Sequence, residues 1–202
     1  MGVAIRRAGT GDREAVVRLL DEAFRDDPVS AWVFPGEEYR RGTHHRLMAA
    51  FTDIALGDGW IDVTEDGAAC ALWLSVPGGD HDEDAGDDGP AELRRAVDRD
   101  NERVELIGRL TAGIHPADRP HAYLWMIGVA PQRQGAGLGT ALIEHVLERC
   151  DREGRPAYLE ASNARSRALY ERLGFTVMDG VLDLPDGPRM WPMWREPRRG
   201  KR

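Results

Sequence analysis

No run of about 18 consecutive apolar residues, the length a helix needs to cross a bilayer, occurs in the 202-residue sequence. The opening stretch MGVAIRRAGTGD also lacks the apolar core of a secretory signal, so membrane association is not expected and the cytoplasm is the expected compartment. Cysteine is scarce. Cys70 and Cys150 are the whole complement and lie far apart without CxxC spacing, which leaves neither a disulfide framework nor a metal cage to read; both are expected to be ordinary reduced thiols. Positive charge is in deficit: 27 Lys and Arg against 35 Asp and Glu give a formal charge of −8, which disfavours sequence-independent binding to nucleic acid.

The composition that remains, 42% hydrophobic and 31% charged, is that of a chain able to bury one substantial core. Residues 1–197 are expected to form one domain, as a monomer or a homodimer. The basic end, residues 198–202, reads as a disordered tail. Residues 77–90, which include GGDHDEDAGDDG, have no apolar periodicity and read as an acidic mobile loop.

Residues 3–7 read as a strand, and Val16, Leu19, Leu20, Ala23 and Phe24 follow helical spacing until Asp26, Asp27 and Pro28 stop the run. A second helix is expected over residues 38–56. Residues 59–64 and 68–76 form a hairpin about Asp66-Gly67, a strong turn signal between apolar runs. A helix over residues 91–111 precedes the near-continuous apolar run 122–129, which suits a strand buried on both faces. The rest alternates: helix 137–150, strand 156–161, helix 164–173, then strands near 175–182 and 189–194. The order implies an α/β fold, with a mixed sheet of six or seven strands flanked by helices.

The most informative segment is GVAPQRQGAGLGTALIEHVL, residues 128–147, in which a buried strand runs through Gln134-Gly135-Ala136-Gly137-Leu138-Gly139-Thr140 into an amphipathic helix. Glycines let the backbone come close to a ligand, while unpaired N–H groups at the helix start attract phosphate oxygens. A Walker A loop would need Gly-Lys-Ser/Thr, but Thr140 follows Gly139 with no lysine. A dinucleotide fingerprint fails as well, because Thr140 stands where its third glycine belongs.

Gln134-Gly135-Ala136-Gly137-Leu138-Gly139 instead resembles the Q/R-x-x-G-x-G/A pattern by which GNAT acetyltransferases hold the pyrophosphate of coenzyme A. The segment from Asn163 to Phe175, NARSRALYERLGF, is similar to that superfamily's other signature, N-x-x-A/S-x-x-L/F-Y-x-x-L-G-F. Two signatures in the proper order identify the chain as resembling a single-domain GNAT enzyme. The pattern is closest to puromycin N-acetyltransferase-like proteins, through AFRDDP at residues 23–28, DGAACALW at 66–73, PAYLEAS at 156–162 and PDGPRMWPMWREP at 185–197.

The resemblance implies acetyl-coenzyme A as acetyl donor and a small-molecule amine as acceptor, the amine attacking the thioester directly in a ternary complex. Val129, Gln134, Gly135, Gly137, Gly139, Thr140 and Asn163 would hold the cofactor, with the Val129 N–H receiving the oxyanion. Tyr170 would protonate the leaving thiolate. Glu160 would take the amine's proton through a water, with Asp26, Asp27 and His121 as other candidates for that role. Phe24, Asp27, Trp32 and Trp73 would contact the acceptor, and no metal is expected. Two other functions remain open at this level: a non-catalytic acyl-coenzyme A sensor and a protein N-acetyltransferase.

Overall fold

A computed structural model describes residues 2–79 and 88–198. The core of the acidic segment, and residues 199–202 of the basic tail, lie outside the described residues. At the edges of those two segments the boundaries differ from expectation: Gly89 already begins a helix, and the Arg198 N–H donates to Asp151 Oδ1 at 2.7 Å.

The strands are β1 (Ile5–Arg7), β2 (Gly59–Thr64), β3 (Ala69–Val76), β4 (His121–Val129), β5 (Ala157–Ala161), β6 (Thr176–Val177), β7 (Leu182–Asp183) and β8 (Arg189–Arg195). They form one mixed sheet in the order β1-β2-β3-β4-β5-β8-β6, with β7 also paired to β8. The expected strand near residues 175–182 is thus two short pieces, and this raises the count to eight. Every pairing is antiparallel except β4 with β5.

The helices are α1 (Arg13–Phe24), α2 (Pro28–Val33), α3 (Glu37–Asp58), α4 (Gly89–Val97), α5 (Glu102–Ile114), α6 (Leu138–Glu153) and α7 (Ala164–Arg172). Pro28 does not simply stop a helix. It occupies the first turn of α2, where its missing N–H costs nothing, while the Asp27 carboxylate caps that turn by accepting from Val29 N at 2.9 Å. The helix expected over 91–111 is broken in two. Asp98 Oδ1 accepts from Asp100 N and Asn101 Oδ1 from Arg103 N, both at 3.0 Å, so short polar side chains take over the backbone between α4 and α5.

Strand periodicity divides the core between the two faces of the sheet. Along β3, Cys70 and Leu72 join the apolar cluster under α1, α2, α3 and α5, whereas Ala69, Ala71 and Trp73 join the one under α6 and α7. Both cysteines are buried free thiols, and burial pushes the Cys70 thiol up to about 12, which makes it a packing residue.

Candidate active site

The parallel strands β4 and β5 pair only at Ala122↔Ala157 and Tyr123↔Tyr158, and beyond these they separate although both continue. A gap therefore opens in the middle of the sheet. Where it opens, the register of β4 on β3 shifts: Leu124 faces Trp73 and Met126 faces Leu72, leaving Trp125 as the extra residue of a bulge. A regular strand sends alternate side chains to opposite faces, but across this bulge Leu124, Trp125, Met126 and Ile127 all line one cavity. The cavity has a volume of about 560 Å³ and is also lined by residues of α1, α2, α3, α4 and α5.

At the far end of β4, the Ala130 N–H donates to Ala68 O, just before β3, at 2.9 Å. Neighbouring residues point their polar groups in opposite directions, so those of Val129 face the gap left by β5. The loop that follows is held by Gln134 Nε2 donating to Val129 O at 3.4 Å and by an Arg133–Asp66 ion pair at 3.0 Å. Gly135 and Gly137 have φ of +80° and +81°, a conformation side chains disfavour, and a Cβ on either would meet nothing within 4 Å. Open space thus lies above this turn. Gly137 is the N-cap of the 16-residue helix α6, whose first N–H groups, including those of Gly139 and Thr140, have no carbonyl four residues back. These residues suit a diphosphate: backbone donors converge at the positive end of a helix dipole, and nothing fills the volume in front of them.

Glu160, on β5, lines the cavity with its side chain only 4% exposed. Its Oε2 accepts from Tyr123 OH at 2.7 Å; its Oε1 is buried without a hydrogen-bond partner among the described residues, with His115 Nδ1 at 3.9 Å and the buried Tyr158 hydroxyl close enough for Glu160 to raise its pKa. His115 is joined in turn to His121, Nε2 to Nε2 at 3.0 Å, and His121 Nδ1 meets Arg119 O at 2.8 Å. His121 is fully buried, and that burial holds its pKa below the ordinary value.

Tyr170, near the end of α7, also lines the cavity and is 7% exposed. Burial, followed by the nearby negative charge of Asp27, raises its phenol well above the ordinary value, and its hydroxyl has no hydrogen-bond partner among the described residues. It is a protonated donor with no acceptor among the described residues. Asp27 also lines the cavity, but its carboxylate is engaged: besides capping α2, Oδ2 accepts from Ser162 Oγ at 2.8 Å and Asn163 Nδ2 at 3.3 Å. It ties the α1–α2 corner to the end of β5.

Several expected roles change in this light. Asn163 spends its amide on that tie and on capping α7, accepting from Ser166 N at 2.9 Å, so it orders the loop instead of presenting free groups to a cofactor. Trp73 does not face an acceptor. It sits one residue out of phase, fully buried on the α6 face and stacked on Trp60 at 6.0 Å, and the cavity-facing residue of the hairpin is Leu74. Trp32 is buried outside the cavity, its indole N–H donating to Pro185 O at 2.8 Å and its ring under Arg103. Phe24 does line the cavity, while Asp26 is exposed and outside it. Tyr123, His115, Phe51 and Trp125 were not expected there; the last two pack ring to ring at 4.4 Å as one wall. No group of three metal-ligating side chains occurs among the described residues, nor does any helix there have the length and apolarity to cross a membrane.

Comparison with known proteins agrees with the fold. The model of the acetyltransferase (GNAT) family matches residues 60–175. An uncharacterized N-acetyltransferase of Schizosaccharomyces pombe is 26% identical over 93% of this chain and 80% of its own. A mycothiol acetyltransferase of Paenarthrobacter aurescens is 35% identical over 44% of this chain, a stretch that amounts to 28% of that protein. A Corynebacterium glutamicum crystal structure, described as a histone acetyltransferase and related acetyltransferase, superposes with a TM-score of 0.73 at 26% identity, covering 100% of this chain and 99% of that one.

Proposed function

The chain belongs to the acetyltransferase (GNAT) family and is an acetyl-coenzyme A-dependent N-acetyltransferase, and from that premise we propose that its acceptor is a small molecule carrying a primary amine on an apolar body. One observation carries the proposal: a carboxylate oxygen with no partner among the described residues, Glu160 Oε1, is buried in the wall of an otherwise largely apolar cavity. An unpaired buried carboxylate oxygen is costly, and an ammonium group entering the cavity is the partner that relieves it. A concave, aromatic-lined space of about 560 Å³ takes a drug-sized amine more readily than a folded protein surface.

Bound acetyl-coenzyme A supplies the thioester. In this reading its diphosphate rests on the N–H groups of the Gly135–Thr140 turn, and the Val129 N–H, pointing into the gap, stabilises negative charge on the carbonyl oxygen. Glu160 orients the amine and takes its proton, with Tyr123 fixing one carboxylate oxygen. Tyr170 gives a proton to the departing sulfur. The same reading puts the enzyme in the cytoplasm, and the resemblance to puromycin N-acetyltransferase-like proteins makes puromycin one amine to test among many.

A panel of primary amines, graded in size and apolarity and followed by thiol release, tests the proposal. Compact apolar amines are expected to turn over and amino-terminal peptides are not. The reverse pattern would make the chain a protein N-acetyltransferase; tight cofactor binding with no turnover of any amine would make it a sensor. With an amine in hand, Glu160→Gln is expected to lower kcat roughly 10²-fold or more, the scale of general base catalysis, with melting temperature preserved. An unchanged kcat would pass the base role to ordered water. Acetyl-coenzyme A is also expected to raise the melting temperature where ATP and NAD do not, and equal shifts from all three would overturn the assignment of the turn.

A further inference from the structure

Away from Glu160 and the glycine-rich turn, three side chains from three helices meet in a row. Asp21 of α1 contacts His44 of α3, Oδ1 to Nδ1, at 2.8 Å, and His44 Nε2 contacts Ser30 Oγ of α2 at 3.0 Å. Burial makes the imidazole hard to charge: His44 is 0% exposed and its pKa is lowered, while Asp21, bonded to His44 and Arg25, keeps its carboxyl below the usual range. Arg25 and Arg40 add positive charge that also disfavours an imidazolium. An ionised Asp21 can only accept, so Nδ1 carries the proton and Nε2 presents a lone pair to the Ser30 hydroxyl. Phe34 packs edge-on against the His44 ring at 5.6 Å and helps fix its plane.

This row opens onto the cavity. Ser30, 8% exposed, is one of the residues that line it, whereas His44 and Asp21 stand behind. A hydroxyl, a neutral base with the right tautomer and an ionised orienting carboxylate form the triad that serine hydrolases on unrelated folds share, and here an apolar chamber lies in front of it. We propose that Ser30 is an activated nucleophile with His44 as its base, giving the cavity a second activity, the hydrolysis of esters of apolar alcohols or phenols.

The chemistry balances without an added reactant other than water. Ser30 Oγ bonds to the ester carbonyl carbon and its proton passes to His44 Nε2; the carbon–oxygen bond to the alcohol or phenol breaks, and the leaving oxygen takes that proton. Water then repeats the sequence on the acyl-serine, and the free acid and Ser30 are released. Asp21 touches no substrate and is a positioning residue. The inference shares the cavity with the acetyl-transfer reading but needs neither coenzyme A nor an amine, so each can fail without the other.

The test uses the full chain without coenzyme A, exposed to p-nitrophenyl butyrate and, separately, to an alkyl fluorophosphonate. In the second case the Oγ–P bond forms, fluoride leaves and the hydroxyl proton ends in solvent. Peptide mass spectrometry is expected to place a single phosphonyl group on Ser30 and nowhere else. Ser30→Ala should abolish that label and bring ester hydrolysis to the rate of buffer. Asp21→Asn, which alters the tautomer but hardly the shape, should slow labelling roughly 10²-fold or more at an unchanged melting temperature. No label on folded wild-type protein, or a label on other residues only, would leave the three side chains as a buried tie between α1, α2 and α3. Labelling of Ser30 at the wild-type rate in a folded Asp21→Asn variant would equally overturn the proposal.

Discussion

Gly137→Glu is expected to fold and to lose acetyl-coenzyme A binding by a factor of at least about 100, a change of roughly 2.7 kcal/mol in binding free energy. Gly137 is the N-cap of α6, at φ +81°, and a side chain in that conformation costs roughly 1–2 kcal/mol. The strain is the only structural charge, because a Cβ there meets no atom within 4 Å. That same open space is where a diphosphate lies if the turn holds one. A glutamate would fill it and set a negative charge where the helix dipole and free N–H groups had favoured the ligand's own.

Gly137→Ala separates the two effects, since it carries the same backbone strain with neither the bulk nor the charge. It should melt close to the glutamate variant yet keep most of the affinity. Circular dichroism and calorimetric titration of the pair read stability and binding together. A folded glutamate variant with wild-type affinity would place the diphosphate elsewhere, and an alanine variant as weak as the glutamate one would trace the loss to the backbone.

The sequence conveyed the elements better than it conveyed their facing. The glycine-rich turn could be read because its chemistry is local: glycines at positive φ, then an amphipathic helix, lie within a few residues of one another. Tyr170 stands in a signature that spans such a local unit and Glu160 in the strand just before it, and the fold brings both to one cavity. Trp73 was misread for a reason of register. Side chains alternate along β3, and an apolar run buried on both faces does not reveal which parity meets the cavity; Leu74 does, and Trp73 packs on Trp60. The bulge at Trp125 is invisible for the same reason, because an extra residue in a continuous apolar strand leaves no gap in the pattern.

Polar partnerships between distant segments were hidden more thoroughly. Asp27 looked available for an acceptor amine, but the fold closes Ser162 and Asn163 onto it from over 130 residues away. His115 carries no periodic signal either, since it follows the last turn of α5 and reaches Glu160 only once β4 and β5 lie side by side. The Asp21–His44–Ser30 row comes from three helices, and its spacing of 9 and 14 residues matches no local motif.

Tyr170→Phe should reduce kcat by about 10²-fold while leaving acetyl-coenzyme A affinity and the melting temperature nearly unchanged. The stability expectation follows from what the hydroxyl does in the folded chain: it bonds to no described residue, so its removal forfeits no hydrogen bond, and the ring keeps its edge contact with Phe175 at 6.1 Å. The kinetic expectation follows from its acidity. A phenol ordinarily titrates near 10 and an alkyl thiol near 8.5, and burial with Asp27 nearby raises Tyr170 further, so transfer to the sulfur is uphill even at the free thiolate and least so once the carbon–sulfur bond is largely broken. The proton therefore moves late, and the contribution belongs at the low end of the 10²–10⁴ range for general acids. Because the interaction exists only as charge develops on sulfur, kcat and kcat/KM should fall together. A leaving group more acidic than coenzyme A needs less help, so an activated thioester analogue should recover much of the lost rate in the phenylalanine variant. A drop of less than about threefold in kcat, or the same fractional loss with the activated analogue, would make Tyr170 a packing residue of α7 and assign the proton to water.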